Sequence, residues 1–230
     1  MQCMGSKRRI AKEILPIILA NRAPNQWYVE PFCGGCNSID KVDSYRLAND
    51  SNHYLIAMFK ALQAGWIPPE NVSKEYYNEI KNNKENYSAA LVGFVGFGCS
   101  FGARWWHGYA SNKEGRNYAL YAKKNLLKQI KDLELVAFRS GDYRDLLMPA
   151  NSVIYCDPPY ANTTKYKDDF NHGDFWQWCR DKTRQGHEVF ISEYSAPSDF
   201  ECIKEIKTIT TLHKNQKDKR TEKLFKLRVE

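Results

Sequence analysis

Residues 153–162 read VIYCDPPYAN. An apolar run ends in a carboxylate, Asp157; two prolines follow, then a tyrosine. The carboxylate can accept hydrogen bonds or a proton. Pro158 and Pro159 fix their own φ and restrict the residue before each, so the carbonyl groups of the turn are held rigidly. Tyr160 adds a flat ring on which a planar group can stack. Termination of a strand would account for the prolines but not for Asp157 or Tyr160. At average residue usage this tetrapeptide arises by chance in about one chain in a thousand of this length, so coincidence is a poor explanation.

Two further strand ends carry matching groups. In Glu30-Pro31-Phe32-Cys33-Gly34-Gly35 the glycines would let backbone approach a ligand closely, although the spacing is not that of a dinucleotide-binding fingerprint. Asp50 closes the next strand, where a carboxylate can accept hydrogen bonds from ribose hydroxyls. Taken singly, an acid at a strand end is more often a helix cap than a ligand contact. Taken together and in this order, the three strand ends describe a nucleoside cofactor site beside a reactive carboxylate.

The elements that would position these groups alternate. Strands are predicted at 27–30, 45–48, 133–138, 152–156 and 188–191, with helices at 54–64, 118–132 and 175–184. That pattern predicts an α/β fold with a largely parallel sheet. Two regions break it. Residues 66–115 hold a polar helix-like stretch (74–86) and then GFVGFGCSFGARWWHGYASN, too rich in glycine and aromatics for an ordinary crossover. We read 66–115 as a small inserted subdomain, with 1–65 and 116–230 forming the main domain. Near the end, 206–213 and 223–229 read as two strands around a basic loop, an antiparallel hairpin closing the sheet.

Composition narrows the class. The chain has 230 residues, 43% hydrophobic and 27% charged, which suits one medium-sized domain with an insertion. No apolar run approaches the length of a membrane span. The opening MQCMGSKRRIAKEILPIILA is broken by Lys12, Glu13 and Pro16, so an amphipathic helix is expected there and not a signal peptide. Seven cysteines without disulfide-like rhythm point to a reducing cytoplasm. Cys33 and Cys36 have redox or zinc spacing, but no second such pair accompanies them, and no metal is expected. The formal charge of +7 is densest at Lys7-Arg8-Arg9 and between Lys214 and Arg228; a solvated surface or a polyanionic partner would both fit.

At this point the chain resembles a known family, the Dam-like (D12 class) DNA adenine-N6 methyltransferases, over most of its length. Met4-Gly5-Ser6-Lys7 is similar to the family's N-terminal cofactor motif, and Glu30 to Gly35 to its glycine motif. Asn49-Asp50-Ser51-Asn52 resembles the ribose-binding segment, and Gly141-Asp142-Tyr143 stands where the cofactor's adenine is contacted. Asp157-Pro158-Pro159-Tyr160 matches the catalytic tetrapeptide, and Phe190 to Tyr194 the strand after it. The motif order, with an insertion before the tetrapeptide, is that of the same subgroup. One departure is Cys3, which occupies a position where the family often has an aromatic residue.

The resemblance implies a Rossmann-like sheet that binds S-adenosyl-L-methionine, with Cys3, Lys7, Glu30, Phe32, Gly34, Asp50, Asp142 and Asp157 as contacts. It implies catalysis by Asp157, Pro158 and Tyr160. Adenine's exocyclic amine is a weak nucleophile because its lone pair is delocalised into the ring. Asp157 and the Pro158 carbonyl would each accept one amino hydrogen, favouring a pyramidal nitrogen, while Tyr160 stacks on the base. The partner implied is double-stranded DNA with the base flipped out. DNA contact would fall to Arg104, Trp105, Lys113 and Arg116; for Trp105 the alternative is a place in the subdomain core. No feature bears on oligomeric state, for which a monomer is the expectation, and the compartment implied is the cytoplasm of a bacterial or phage-infected cell. The rivals are a cytosine-N4 or ribosomal guanine-N2 methyltransferase, which share the amine chemistry, and a non-catalytic DNA-binding module.

Overall fold

The computed structural model describes residues 1, 6–160, 170–213 and 216–228. The strands are β1 (Tyr28–Glu30), β2 (Arg46–Asp50), β3 (Val136–Ser140), β4 (Val153–Cys156), β5 (Glu188–Glu193), β6 (Phe200–His213) and β7 (Gln216–Leu227). The helices are α1 (Ala11–Ile18), α2 (His53–Gln63), α3 (Lys74–Asn82), α4 (Ala89–Gly98), α5 (Tyr118–Gln129) and α6 (His172–Arg184). The strands make a mixed seven-stranded sheet, the Rossmann-like α/β arrangement expected. The chain divides into two compact units, one formed by Met1–Arg9 and Cys33–Leu146, the other by Ile10–Phe32 and Leu147–Glu230.

In the first unit β2 and β3 run parallel, with Arg46 opposite Val136 and Asp50 opposite Ser140. Helix α2 starts where the Asn52 side chain accepts the Leu55 amide, and it buries Leu55, Ile56, Met58, Phe59 and Leu62. Phe59 lies parallel to Phe138 of β3 at 5.3 Å. Burying such a side chain contributes about 1.5–3 kcal/mol, so this face holds the helix to the strands. Residues 66–115 lie inside this unit. Helix α3 is the expected polar stretch, capped by Ser73 and anchored through buried Tyr77 and Ile80.

Helix α4 was hidden in the glycine-rich stretch. Glycine costs about 1 kcal/mol per position in a helix interior, so AALVGFVGFG reads poorly as one. Tertiary packing reverses the preference. A Cβ on Gly93 would stand 2.2 Å from the Tyr54 carbonyl oxygen, and one on Gly96 2.3 Å from the Trp105 ring. Only a bare backbone permits those approaches, and Ser88 caps the helix by accepting the Leu91 amide. Helix α5 matches its expected start but passes at Ile130–Leu133 into a 3-10 turn, so β3 begins at Val136 and not at Leu133.

In the second unit the strand order is β1-β4-β5-β7-β6. Strands β1, β4 and β5 are parallel, with Tyr28 opposite Val153 and Cys156 opposite Ile191. Strands β1 and β4 are buried throughout, as expected of parallel strands covered on both faces. Strand β7 runs antiparallel to β5 and to β6. The hairpin is longer than expected: β6 starts at Phe200, and β7 at Gln216 takes up most of the segment read as a basic loop. Inter-strand pairing satisfies backbone N–H and C=O groups whatever the side-chain charge, so a run of lysines does not prevent a strand. Helix α1 is the expected amphipathic helix, burying Ala11, Ile14, Leu15 and Ile18. Helix α6 is capped by Asn171 and tied by Arg180, whose guanidinium grips Asp199 at 2.6 and 2.9 Å.

Candidate active site

In the first unit, the carboxyl ends of β2 and β3 carry a linked group of turns. Asp50 Oδ2 accepts the Gly34 amide at 3.0 Å and Oδ1 accepts the Asn52 amide at 2.9 Å. Each carboxylate oxygen keeps a second lone pair, so two hydroxyl donors can still be accepted. Gly34 has φ +45°, in the left-handed region that favours glycine, and the space a Cβ would occupy there is open. Next to them the Cys33 amide donates to the Asn49 carbonyl at 2.8 Å, and the Asn49 side chain donates to the Gly141 carbonyl at 3.0 Å. Burial pushes the Asp50 carboxyl above its ordinary range, against the pull of the two amides. Further donors to Asp50 would therefore favour its charged form. An open glycine backbone beside a carboxylate with spare acceptor capacity fits the ribose end of a nucleoside.

Asp142 begins a short turn just beyond β3. It accepts the Arg144 amide at 2.8 Å and the guanidinium at 2.9 and 2.7 Å. That pairing holds its carboxyl below the ordinary range. Lys7 is buried in a 3-10 turn, where an ammonium is tolerated only when paired. Cys3, Met4 and Gly5 lie outside the described residues. The thiols of Cys33 and Cys36 approach the Gly34 carbonyl at 4.0 and 3.9 Å.

The glycine turn is held from behind by Gln129, a residue that sequence reasoning missed. Its side-chain amide donates to the carbonyls of Gly35 (3.1 Å) and Cys36 (3.0 Å) and to Asp40 (2.9 Å). Its oxygen accepts from the Met1 amine. A polar residue in the last turn of an amphipathic helix carries no local signal that it is buried.

In the second unit a set of tyrosine hydroxyls lies at the carboxyl ends of β1, β4 and β5. Tyr28 donates to buried Glu30 at 2.9 Å, and Tyr155 shares a 2.8 Å hydrogen bond with Ser192. Tyr160 donates to Glu222 of β7 at 2.9 Å and meets Tyr194 edge to face at 4.8 Å. All three phenols are pushed well above the ordinary range, by burial first. Glu30 adds to the shift at Tyr28, and Asp157 and Glu222 add to it at Tyr155 and Tyr160. Asp157 directly follows β4, half-buried, with Pro158 buried behind it. Phe32 stands edge-on to Phe170 at 5.8 Å and to Phe175 at 5.7 Å. Ser192, Glu193 and Glu222 had no assigned role in the sequence reading, because strand polar residues look alike until pairing shows which way they face.

Of the residues read as nucleic-acid contacts, Lys113 and Arg116 are exposed, and Arg116 lies over the Tyr121 ring at 4.3 Å. Arg104 is half-buried in the turn after α4. Trp105 stacks on Tyr54 at 5.6 Å and meets Phe97 at 4.8 Å, so much of its ring is engaged in packing. Among the described residues no group of three or more His, Cys, Asp and Glu side chains could hold a metal ion, and no helix is long and apolar enough to cross a membrane.

Residues 4–95 match the family described as D12 class N6 adenine-specific DNA methyltransferase. The match takes in the glycine turn and Asp50 and stops before Asp157. The chain is also similar to the crystal structure of SMU.472 complexed with SAH, at 12% identity and a TM-score of 0.39; the likeness covers 100% of this chain and 55% of that one. The chain thus spans about half the length of that relative.

Proposed function

We propose that this protein is an S-adenosyl-L-methionine-dependent methyltransferase acting on adenine N6 in double-stranded DNA. The observation that carries the reading is the placement of Asp157-Pro158-Pro159-Tyr160 at the carboxyl end of β4. That strand has a parallel neighbour on either side, and ligands bind outside such strand ends. The family match over residues 4–95 supports the choice of adenine in DNA.

The cofactor supplies a methyl group on a sulfonium. Asp50 would accept the ribose hydroxyls, and the open backbone at Gly34 would lie against the cofactor. Lys7, Glu30, Phe32 and Asp142 are further cofactor contacts, with Cys3 as the sequence resemblance implies. The Asp157 carboxylate and the Pro158 carbonyl each accept one hydrogen of the adenine amine. That would free the nitrogen's lone pair from the ring for transfer of the methyl group, whose sulfonium donor would leave as the neutral thioether, and Asp157 would take the proton released. Tyr160 stacks on the flipped base, an interaction worth about 1–3 kcal/mol. Residues 66–115 form the target-recognition segment, with Arg104, Trp105, Lys113 and Arg116 at the DNA. The chain acts as a monomer in the cytoplasm.

The test is methyl transfer from labelled S-adenosyl-L-methionine to DNA and, separately, to RNA, followed by digestion to nucleosides. Label in N6-methyldeoxyadenosine is the expected result. Label in cytosine or guanine would replace the substrate, and DNA binding without any transfer would replace the enzyme.

A further inference from the structure

Strand β7 reaches the tetrapeptide through the Glu222 side chain. The ladder between β5 and β7 has Ser192 opposite Leu224 and Glu193 opposite Lys223, so Glu222 is the next residue of β7 and Tyr194 the first residue past the end of β5. Side chains two apart on a strand share a face, which puts Glu222 with Leu224 on β7. Tyr160 touches both Glu222 and Tyr194: its hydroxyl donates to Glu222 Oε2 at 2.9 Å, and its ring meets Tyr194 at 4.8 Å with the planes 83° apart. The bond spans 62 residues of chain and ends on an acceptor oxygen, the stronger class of hydrogen bond when that acceptor is ionised. A phenol held at its hydroxyl and at its ring is restrained about χ1 and χ2. The position of Tyr160 is therefore decided by β7 as well as by the two prolines before it.

We propose that Glu222 is a positioning residue for the proposed methyl transfer, holding the Tyr160 ring in the orientation that receives the flipped base. The inference rests on the functional reading above, in that the ring is taken to be the stacking platform. Its structural half, the anchor itself, is independent of that reading.

Four proteins test it: Glu222→Ala, Glu222→Gln, Tyr160→Phe and the Tyr160→Phe/Glu222→Ala double variant. Methyl transfer is followed from labelled S-adenosyl-L-methionine to genomic DNA free of N6-methyladenine. Glu222→Ala is expected to lower kcat about tenfold, equivalent to ~1.4 kcal/mol, with KM for S-adenosyl-L-methionine unchanged within about twofold. Tyr160→Phe should fall by a similar factor, and the double variant no further, because both lose the same bond. Glu222→Gln keeps a carbonyl acceptor and should recover most of the rate. An unchanged kcat in Glu222→Ala, a Glu222→Gln variant as slow as Glu222→Ala, or multiplying losses in the double variant would each overturn the assignment. Thermal unfolding of the same proteins separates the two levels. If the wild type methylates nothing, the functional reading fails, yet a double variant that melts no lower than the weaker single still establishes the anchor. Additive losses of Tm would remove the anchor as well.

Discussion

Asp50 and Tyr160 stand at strand ends in different units and are held by different means. Asp50 is held by backbone: the Gly34 and Asn52 amides donate to its two oxygens, within 16 residues of chain. Tyr160 is held by side chains, Glu222 at its hydroxyl and Tyr194 at its ring, with the first contact 62 residues away. The same contrast extends to their neighbours. The Gly141 and Cys33 amides join turns main chain to main chain, donating to the Asp50 and Asn49 carbonyls, whereas Tyr28 and Tyr155 reach Glu30 and Ser192 hydroxyl to side chain. A site made of turns presents fixed amides and open space, suited to a ligand bound the same way in every cycle. One made of ring hydroxyls under strand ends aims carboxylates and a flat surface, suited to gripping a substrate group during reaction.

Four substitutions would break or sharpen this contrast. Asp157→Ala is expected to have the largest effect, lowering the methyl-transfer rate about a thousandfold, ~4 kcal/mol in the barrier, as removing a preorganised group at the reacting atom does. DNA binding measured without cofactor should be retained; a rate near that of the wild type would take Asp157 out of the mechanism. Asp50→Ala should act on binding instead, weakening S-adenosyl-L-methionine by about 1–3 kcal/mol in calorimetry. An unchanged Kd would contradict the ribose assignment.

Tyr28→Phe removes a donor to buried Glu30 and should cost about 1–2 kcal/mol of stability in urea at neutral pH. It also tests a pH dependence. The folded-state pKa of Tyr28 is raised above the ordinary phenol value of about 10, so its stabilising share is complete below pH 10 and is lost as pH rises through the folded-state value. The alkaline fall in stability should accordingly be shallower in Tyr28→Phe; a steeper one would contradict the burial of that hydroxyl. The smallest effect is expected from Gly34→Ala, about 1 kcal/mol of strain at φ +45°, seen as a lower Tm. An unchanged Tm would mean the turn relaxes freely and does not preset the site.

Much of the scaffold was legible beforehand. The strands ending at Glu30, Asp50 and Cys156, and the helices starting near Tyr54 and Tyr118, carry strong apolar periodicity, and the structure has them within a few residues. Helix α4 was not legible, because Gly93 and Gly96 argue locally against the conformation that contact with Tyr54 and Trp105 makes favourable. The start of β7 was obscured for a similar reason, since charged residues from Gln216 onward look like a loop until a partner strand takes up their backbone. At the site, Asp50 and its glycine turn lie close together in the chain and could be read as a unit, whereas Gln129 and Glu222 could not.

The sequence by itself determined which chemical groups stand at the strand ends, because a carboxylate after an apolar run, a glycine turn and a proline pair each impose their character locally. Tertiary structure alone decided which partners hold them: Glu222 under the Tyr160 hydroxyl, Gln129 behind the glycine turn, Trp105 against Gly96. The physical reason is range. Backbone dihedral preferences and apolar periodicity act over a few residues, while a hydrogen bond or a close ring contact between distant segments exists only once the strands and helices have packed.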